Sequence, residues 1–215
     1  MGIPVLILGE SGSGKSTSMQ FLNAAEGWMV NPENKRLPFK SKEWIRRDPL
    51  TKQGNVFFTD VAKEIIIVIN HARRNGKKYV VIDDFQYIMA NKFMRKRSEK
   101  SYEKFTEIGG DAWDIIRAAQ SVEDDLIVYF MAHTEETAGG RIKMKTIGKM
   151  LDEKITVEGM FSIALRTASI DGHHYFTTQT DGSDPVKTPI GMFEQFQIDN
   201  DLNAVDTAIR EYYEL

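Results

Sequence analysis

A chain of 215 residues with 41% hydrophobic and 27% charged side chains has enough apolar material for a sizeable folded core. A formal net charge of −3 excludes a globally basic nucleic-acid binder but leaves room for local basic patches, and the absence of cysteine excludes disulfides, thiolate chemistry and cysteine-ligated zinc. The longest apolar runs, at 3–8, 65–69 and 126–132, are too short to span a bilayer, and no basic-then-apolar leader precedes the first glycine-rich stretch, so a soluble cytoplasmic protein without a membrane partner is expected.

Residues 3–8 read as a buried strand that runs into Gly9-Glu10-Ser11-Gly12-Ser13-Gly14-Lys15-Ser16-Thr17. From Lys15 the spacing of Met19, Leu22 and Ala25 turns helical, with Gly27 as the stop, and 28–31 read as a second strand closed by Pro32. Residues 32–55 are polar and irregular, with prolines at 32, 38 and 49. Thr59 or Asp60 starts a helix over 61–74 that Gly76 ends; its β-branched run 65–69 also suits a strand, but capping and length favour helix. A third buried strand, 79–82, is followed by Asp83 and Asp84. After a further helical stretch come a basic polar segment at 91–104, a break at Gly109-Gly110, and a helix from Asp111 through Gln120. Residues 126–132 form the fourth strand, followed by a flexible loop over 134–145 around Gly139-Gly140. The segments 161–170 and 174–179 alternate as a hairpin about Asp171-Gly172, and Leu202, Val205, Ile209 and Tyr212 mark a last amphipathic helix. Strands alternating with helices predict one α/β domain over 1–215, with a mostly parallel sheet flanked by helices and a C-terminal β-hairpin extension.

The pattern GxxxxGK[ST] is met by Gly9, Gly14, Lys15 and Ser16. Glycines let successive backbone N–H groups point at one anion, and the helix expected after Lys15 adds its positive end. Lys15 is expected to reach the β- and γ-phosphates of ATP, and the Ser16 hydroxyl to ligate Mg²⁺. Asp83, at the carboxyl end of a parallel strand, faces the ligand crevice and is the second metal carboxylate; Asp84 is open between a further carboxylate and a helix cap.

With these motifs the chain resembles the RecA-like ATPases, and more closely the phage ATP-binding proteins of the Sak-type single-strand annealing and recombination group. The resemblance is carried by GESGSGKST, WMVNPENKRLPF, YVVIDDF, YFMAHTEE and TIGKMLDEKITVEGMFSIALR, and covers roughly residues 3–193. It implies a RecA-like fold, a catalytic glutamate at Glu33 that orients the attacking water, and a γ-phosphate sensor at His133. It also implies single-stranded DNA held by two loops, carrying Lys92, Arg95, Lys96, Arg97, Lys100 and Lys104 in the first and Arg141, Lys143 and Lys145 in the second, with Phe93 and Tyr102 as stacking candidates. A homo-oligomer, ring or filament, and a single-strand-binding or replication protein are further implied partners. Lys149, Lys154, Arg166 and Lys187 are candidates for a finger reaching a neighbouring subunit. The activity implied is Mg²⁺-dependent ATP hydrolysis in phage recombination. An ATP-switched accessory module and a nucleotide kinase, with 91–104 as its lid, are the alternatives.

Overall fold

The computed structural model describes residues 1–122, 125–148, 151 and 154–215. Its centre is an eight-stranded sheet in the order β10-β9-β8-β1-β5-β4-β2-β3. β1 (Ile3–Leu8), β2 (Gly27–Val30), β3 (Val56–Phe57), β4 (Tyr79–Ile82), β5 (Ile127–Ala132) and β8 (Ile163–Ile170) run parallel. β9 (His173–Thr177) and β10 (Gln197–Asp199) close one edge in antiparallel fashion. The expected hairpin about Asp171-Gly172 is therefore present but continues the main sheet rather than extending from it. Both turn residues have positive φ, 51° and 80°, the conformation that two-residue hairpins demand.

Continuous apolar runs suit strands covered on both faces, and the two faces of this sheet take alternate residues. Leu6, Leu8, Val80, Ile82, Val128 and Phe130 join one core. That core is covered by α1 (Ala62–Ala72), α2 (Gln86–Arg95) and α3 (Glu103–Ser121). Val5, Ile7, Val81, Tyr129 and Met131 join the other, under the short helix Ser16–Phe21 and α4 (Leu202–Tyr213). Pro4 sits inside β1 without breaking a ladder. The Ile3 N–H points to β5, so position 4 faces β8, where pairing begins only at Val5.

Several local expectations are corrected. The helix after Lys15 is a six-residue 3₁₀ helix. Gly27 does not stop it but opens β2, where a Cβ would run into the Tyr79 ring. Thr59 accepts from the Val61 N–H and donates to Glu64, while Asp60 pairs with Arg95 instead of capping. Gly109-Gly110 does not break α3, which runs through both; Ile108, Ala112, Ile115, Ile116 and Ala119 bury a full apolar stripe. That stripe outweighs the intrinsic cost of about 1 kcal/mol per glycine. The segment 134–145 is a small antiparallel hairpin, β6 (Thr134–Glu136) and β7 (Ile142–Met144), not an open loop. Its turn is closed by Thr137 and Arg141, which exchange backbone and hydroxyl hydrogen bonds. Among the described residues no helix is long and apolar enough to cross a membrane.

Candidate functional site

The strand order reverses around β1: β2 to β5 lie on one side of it, and β8 to β10 on the other. In such sheets ligands bind outside the carboxyl ends at the reversal, and residues 9–15 occupy that place. Gly14 has φ +103°, and a Cβ there would meet the His174 ring at 2.7 Å. A Cβ at Gly9 would overlap the hydroxyls of Thr167 and Ser13. The Thr167 hydroxyl bonds to Leu8 O and to the Ser13 hydroxyl, so β8 fixes the loop from the side. Among the described residues, the N–H groups of Gly12, Gly14 and Lys15 have no acceptor. They form a run of free backbone donors of the kind that holds anions.

Lys15 is buried and donates to Gly9 O at 2.7 Å and Glu10 O at 2.8 Å. Burial lowers its pKa to about 8, with Asp84 and Asp83 pulling the other way. The Ser16 hydroxyl donates to Asp83 Oδ1 at 2.9 Å, joining residues 67 positions apart. Asp83 is buried, and that burial, together with the like charge of Asp84, pushes its carboxyl up to about 6. A buried carboxylate destabilised in its charged form, touching a hydroxyl, is a place where a hard divalent cation fits. No cluster of three or more His, Asp or Glu able to hold a metal occurs among the described residues. Mg²⁺ is a cation that can be held by one or two protein oxygens, here those of Ser16 and Asp83, with other ligands completing its shell.

Asp84 is the residue that sequence reasoning left open. It has φ 53°, and its side chain caps no helix; α2 starts after Phe85 without a side-chain cap. The carboxylate instead accepts from Lys35 Nζ at 2.6 Å and His133 Nε2 at 3.1 Å. Burial alone would raise its pKa, but the His133 and Lys35 hydrogen bonds outweigh that and hold it well below the usual carboxylate range. Because β5 lies between β1 and β4, His133, just past the end of β5, stands between the glycine loop and Asp83-Asp84. Its backbone N–H is held by Gln86 Oε1. Glu33 takes a different neighbour, accepting from Asn91 Nδ2 of α2 at 2.8 Å.

Among the described residues, four of the nine cations in the expected basic loops pair with carboxylates of their own chain. Lys92 pairs with Asp111 and Glu107, Arg95 with Asp60, Lys96 with Glu107 and Glu99, and Lys143 with Glu135. Arg97 donates to Met94 O, and Lys104 to Glu99 O while lying over Phe93 and Phe105. Lys100 and the side chains of Arg141 and Lys145 pair with no carboxylate among the described residues. Of the four finger candidates, Arg166 lies beside the loop in its own chain, paired with buried Asp184 at 2.8 Å. Lys154 and Lys187 are exposed, and Lys149 lies outside the described residues. A cavity of about 370 Å³ next to the loop is lined by Glu10, Ser13, Thr134, Arg166 and Ser169, among others. Sequence reasoning missed Lys35, Thr167 and the cis position of Arg166, because each reaches the site through a contact far along the chain.

No protein-family model matches the chain, and a comparison with curated proteins gives no match.

Proposed function

We propose that the chain is a Mg²⁺-dependent ATPase of RecA-like architecture that acts on single-stranded DNA in homologous recombination. The observation that carries the reading is the Ser16–Asp83 hydrogen bond at 2.9 Å beside the buried Lys15 amine. A phosphate-loop hydroxyl and a strand-end carboxylate meet where the loop's free N–H donors and one cation converge, which is the constellation a triphosphate and its metal require.

In this reading the loop N–H groups and Lys15 hold the β- and γ-phosphates, while Ser16 and Asp83 hold the metal. Bound Mg²⁺ would neutralise charge on the transferred phosphoryl group. Asp84 is fixed by Lys35 and His133, and an ionised carboxylate in that position is suited to orient the attacking water. Its low pKa makes positioning a better description than proton abstraction. Glu33 would have to leave Asn91 to do the same work. His133 supplies a second contact for the γ-phosphate from the strand between loop and carboxylates. The nucleotide-kinase alternative is weakened by the first basic segment, whose Lys92, Arg95 and Lys96 are spent on Asp60, Glu107 and Asp111 rather than offered to a phosphate as a lid would be.

The test is steady-state ATP hydrolysis with and without single-stranded DNA. Mg²⁺-dependent turnover that rises with DNA and is lost in Lys15→Ala supports the reading. Phosphoryl transfer to a nucleoside monophosphate, or tight nucleotide binding without turnover, contradicts it.

A further inference from the structure

The stretch between β2 and α1 is a basic part of the chain that borders the nucleotide site. Residues 33–58 carry seven cations, Lys35, Arg36, Lys40, Lys42, Arg46, Arg47 and Lys52, against Glu33, Glu43 and Asp48. Those carboxylates do not neutralise them. Glu33 accepts from Asn91, and Asp48 accepts the N–H groups of Leu50 and Thr51 within its own turn. Among the described residues, Arg36, Lys40, Lys42, Arg46 and Lys52 pair with no carboxylate. In the 92–104 segment Lys92, Arg95 and Lys96 are ion-paired, while Arg97 and Lys104 donate to backbone oxygens.

Aromatic rings are set among these cations. Phe39, Trp44 and Phe58 are partly buried and pack against the core. With Lys35, Arg36 and Asn34 they line a groove of about 410 Å³. Arg46 stacks over Phe58 at 5.1 Å, and Arg47 over Trp28 and Phe57 at 5.1 and 5.2 Å. Asn31 and Phe58, which line the groove, directly follow β2 and β3, which places it at the carboxyl ends of those strands, on the same edge of the sheet as Asp83. Its floor is tied to the nucleotide site: Asn31 clamps the backbone of Lys35, and the Lys35 amine reaches Asp84.

We propose that this groove, and not the 92–104 or 134–145 segments, is the main seat of a single-stranded polynucleotide, with bases stacked on Phe39, Trp44 and Phe58 and phosphates held by Arg36, Lys40, Lys42 and Arg46. Unpaired cations release counterions when they meet phosphate, whereas cations already paired with carboxylates gain little. Aromatic ring faces stack on any base, which is the chemistry of strand binding without sequence preference. The inference rests on the single-stranded DNA partner proposed above and adds its location. Lys35 makes the groove and the Asp83-Asp84 pair mechanically continuous.

The experiment uses the full chain, labelled oligo-dT and oligo-rU of about 20 nucleotides, and fluorescence anisotropy over a range of salt. Arg36→Glu/Lys40→Glu/Lys42→Glu is compared with Lys96→Glu/Arg97→Glu/Lys100→Glu, which changes charge equally. The first triple variant should weaken binding at least tenfold and flatten the salt slope by about 2, as expected for three lost phosphate contacts. The second should stay within about threefold of the parent. Oligo-dT bound more tightly than oligo-rU assigns the groove to DNA; the converse assigns it to RNA, and either supports a polynucleotide seat. In parallel, photocrosslinking with 5-iodouracil in the oligomer should give adducts at Phe39, Trp44 or Phe58.

Adducts confined to 92–104 or 134–145, or equal losses in both triple variants, would overturn the inference. So would competition by poly-glutamate as strong as by the oligonucleotide, which would mark an acidic polypeptide as the occupant. Mg·ATP binding is measured on the same proteins. Its loss in the groove variant makes the groove a nucleotide subsite and overturns the inference; its retention in a parent that binds no oligonucleotide overturns the inference alone and leaves the ATP site standing.

Discussion

Lys15 and Asp83 place opposite demands on solvent pH. In the role proposed for it, Lys15 is protonated to meet phosphate, and its pKa is lowered to about 8 by burial. Affinity for Mg·ATP should therefore be flat up to about pH 8 and then fall, approaching tenfold per pH unit, until the higher pKa of Lys15 in the complex is reached. Titration of a fluorescent ATP analogue between neutral pH and pH 10 reads this limb, where the phosphates themselves no longer titrate; a flat profile contradicts the role given to Lys15. Asp83 presents the inverse case. Its folded-state pKa is raised to about 6 from 3.8, so the protonated form favours folding and that contribution is lost as pH rises from about 4 through 6. At pH 7 the charge is a penalty. Asp83→Asn should thus raise nucleotide-free stability by about 1–3 kcal/mol while cutting Mg²⁺-dependent turnover by more than about a hundredfold. Paired thermal melts and ATPase assays test this, and a destabilised variant would contradict the account of Asp83. At this scale the proximity of the glycine loop, Lys15, Ser16 and Asp83 was legible because a contiguous motif and a strand end define them. The Lys35–Asp84–His133 cluster was not, since its partners lie 49 positions apart on either side of Asp84 and only the fold brings them together.

Among the elements, β1, β4 and β5 were readable from unbroken apolar runs, and the β8–β9 hairpin from Asp171-Gly172. Glycine misled the reading where tertiary packing decided the outcome. Gly27 serves a strand because the Tyr79 ring fills the space a side chain would take. Gly109 and Gly110 remain helical because α3 buries its stripe against α1 and α2. At Gly110 a Cβ would meet nothing within 4 Å, and its φ is not positive. Gly110→Ala should then stabilise the protein by about 0.5–1 kcal/mol, read as a shifted denaturation midpoint with unchanged slope; a loss of stability would mean that α3 is strained there. Gly14→Ala is the opposite case. Its φ of +103° and the His174 ring leave no room for a methyl group, so the variant should lose nucleotide affinity along with about 1–3 kcal/mol of stability. Retained affinity, measured by calorimetry, would contradict the shape assigned to the loop. The β6–β7 hairpin escaped the sequence reading because its strands have three residues each, too few for alternation to register.

For the whole molecule, the sheet order explains why one edge gathers the glycine loop, Asp83, Asp84, His133 and Lys35. The reversal at β1 opens the crevice, β5 puts His133 between the loop and the carboxylates, and β2 delivers Asn31 and Lys35 beside Asp84. A ligand that bridges these strands should stabilise the entire sheet and not the loop alone. The most direct measurement is isothermal calorimetry of the folded chain with ATP, in the presence and absence of Mg²⁺, alongside Lys15→Ala. A saturable one-to-one association is expected, one that needs Mg²⁺ for full affinity and disappears in Lys15→Ala although that variant remains folded. No heat of association with the parent protein, or equal binding by Lys15→Ala, would contradict it.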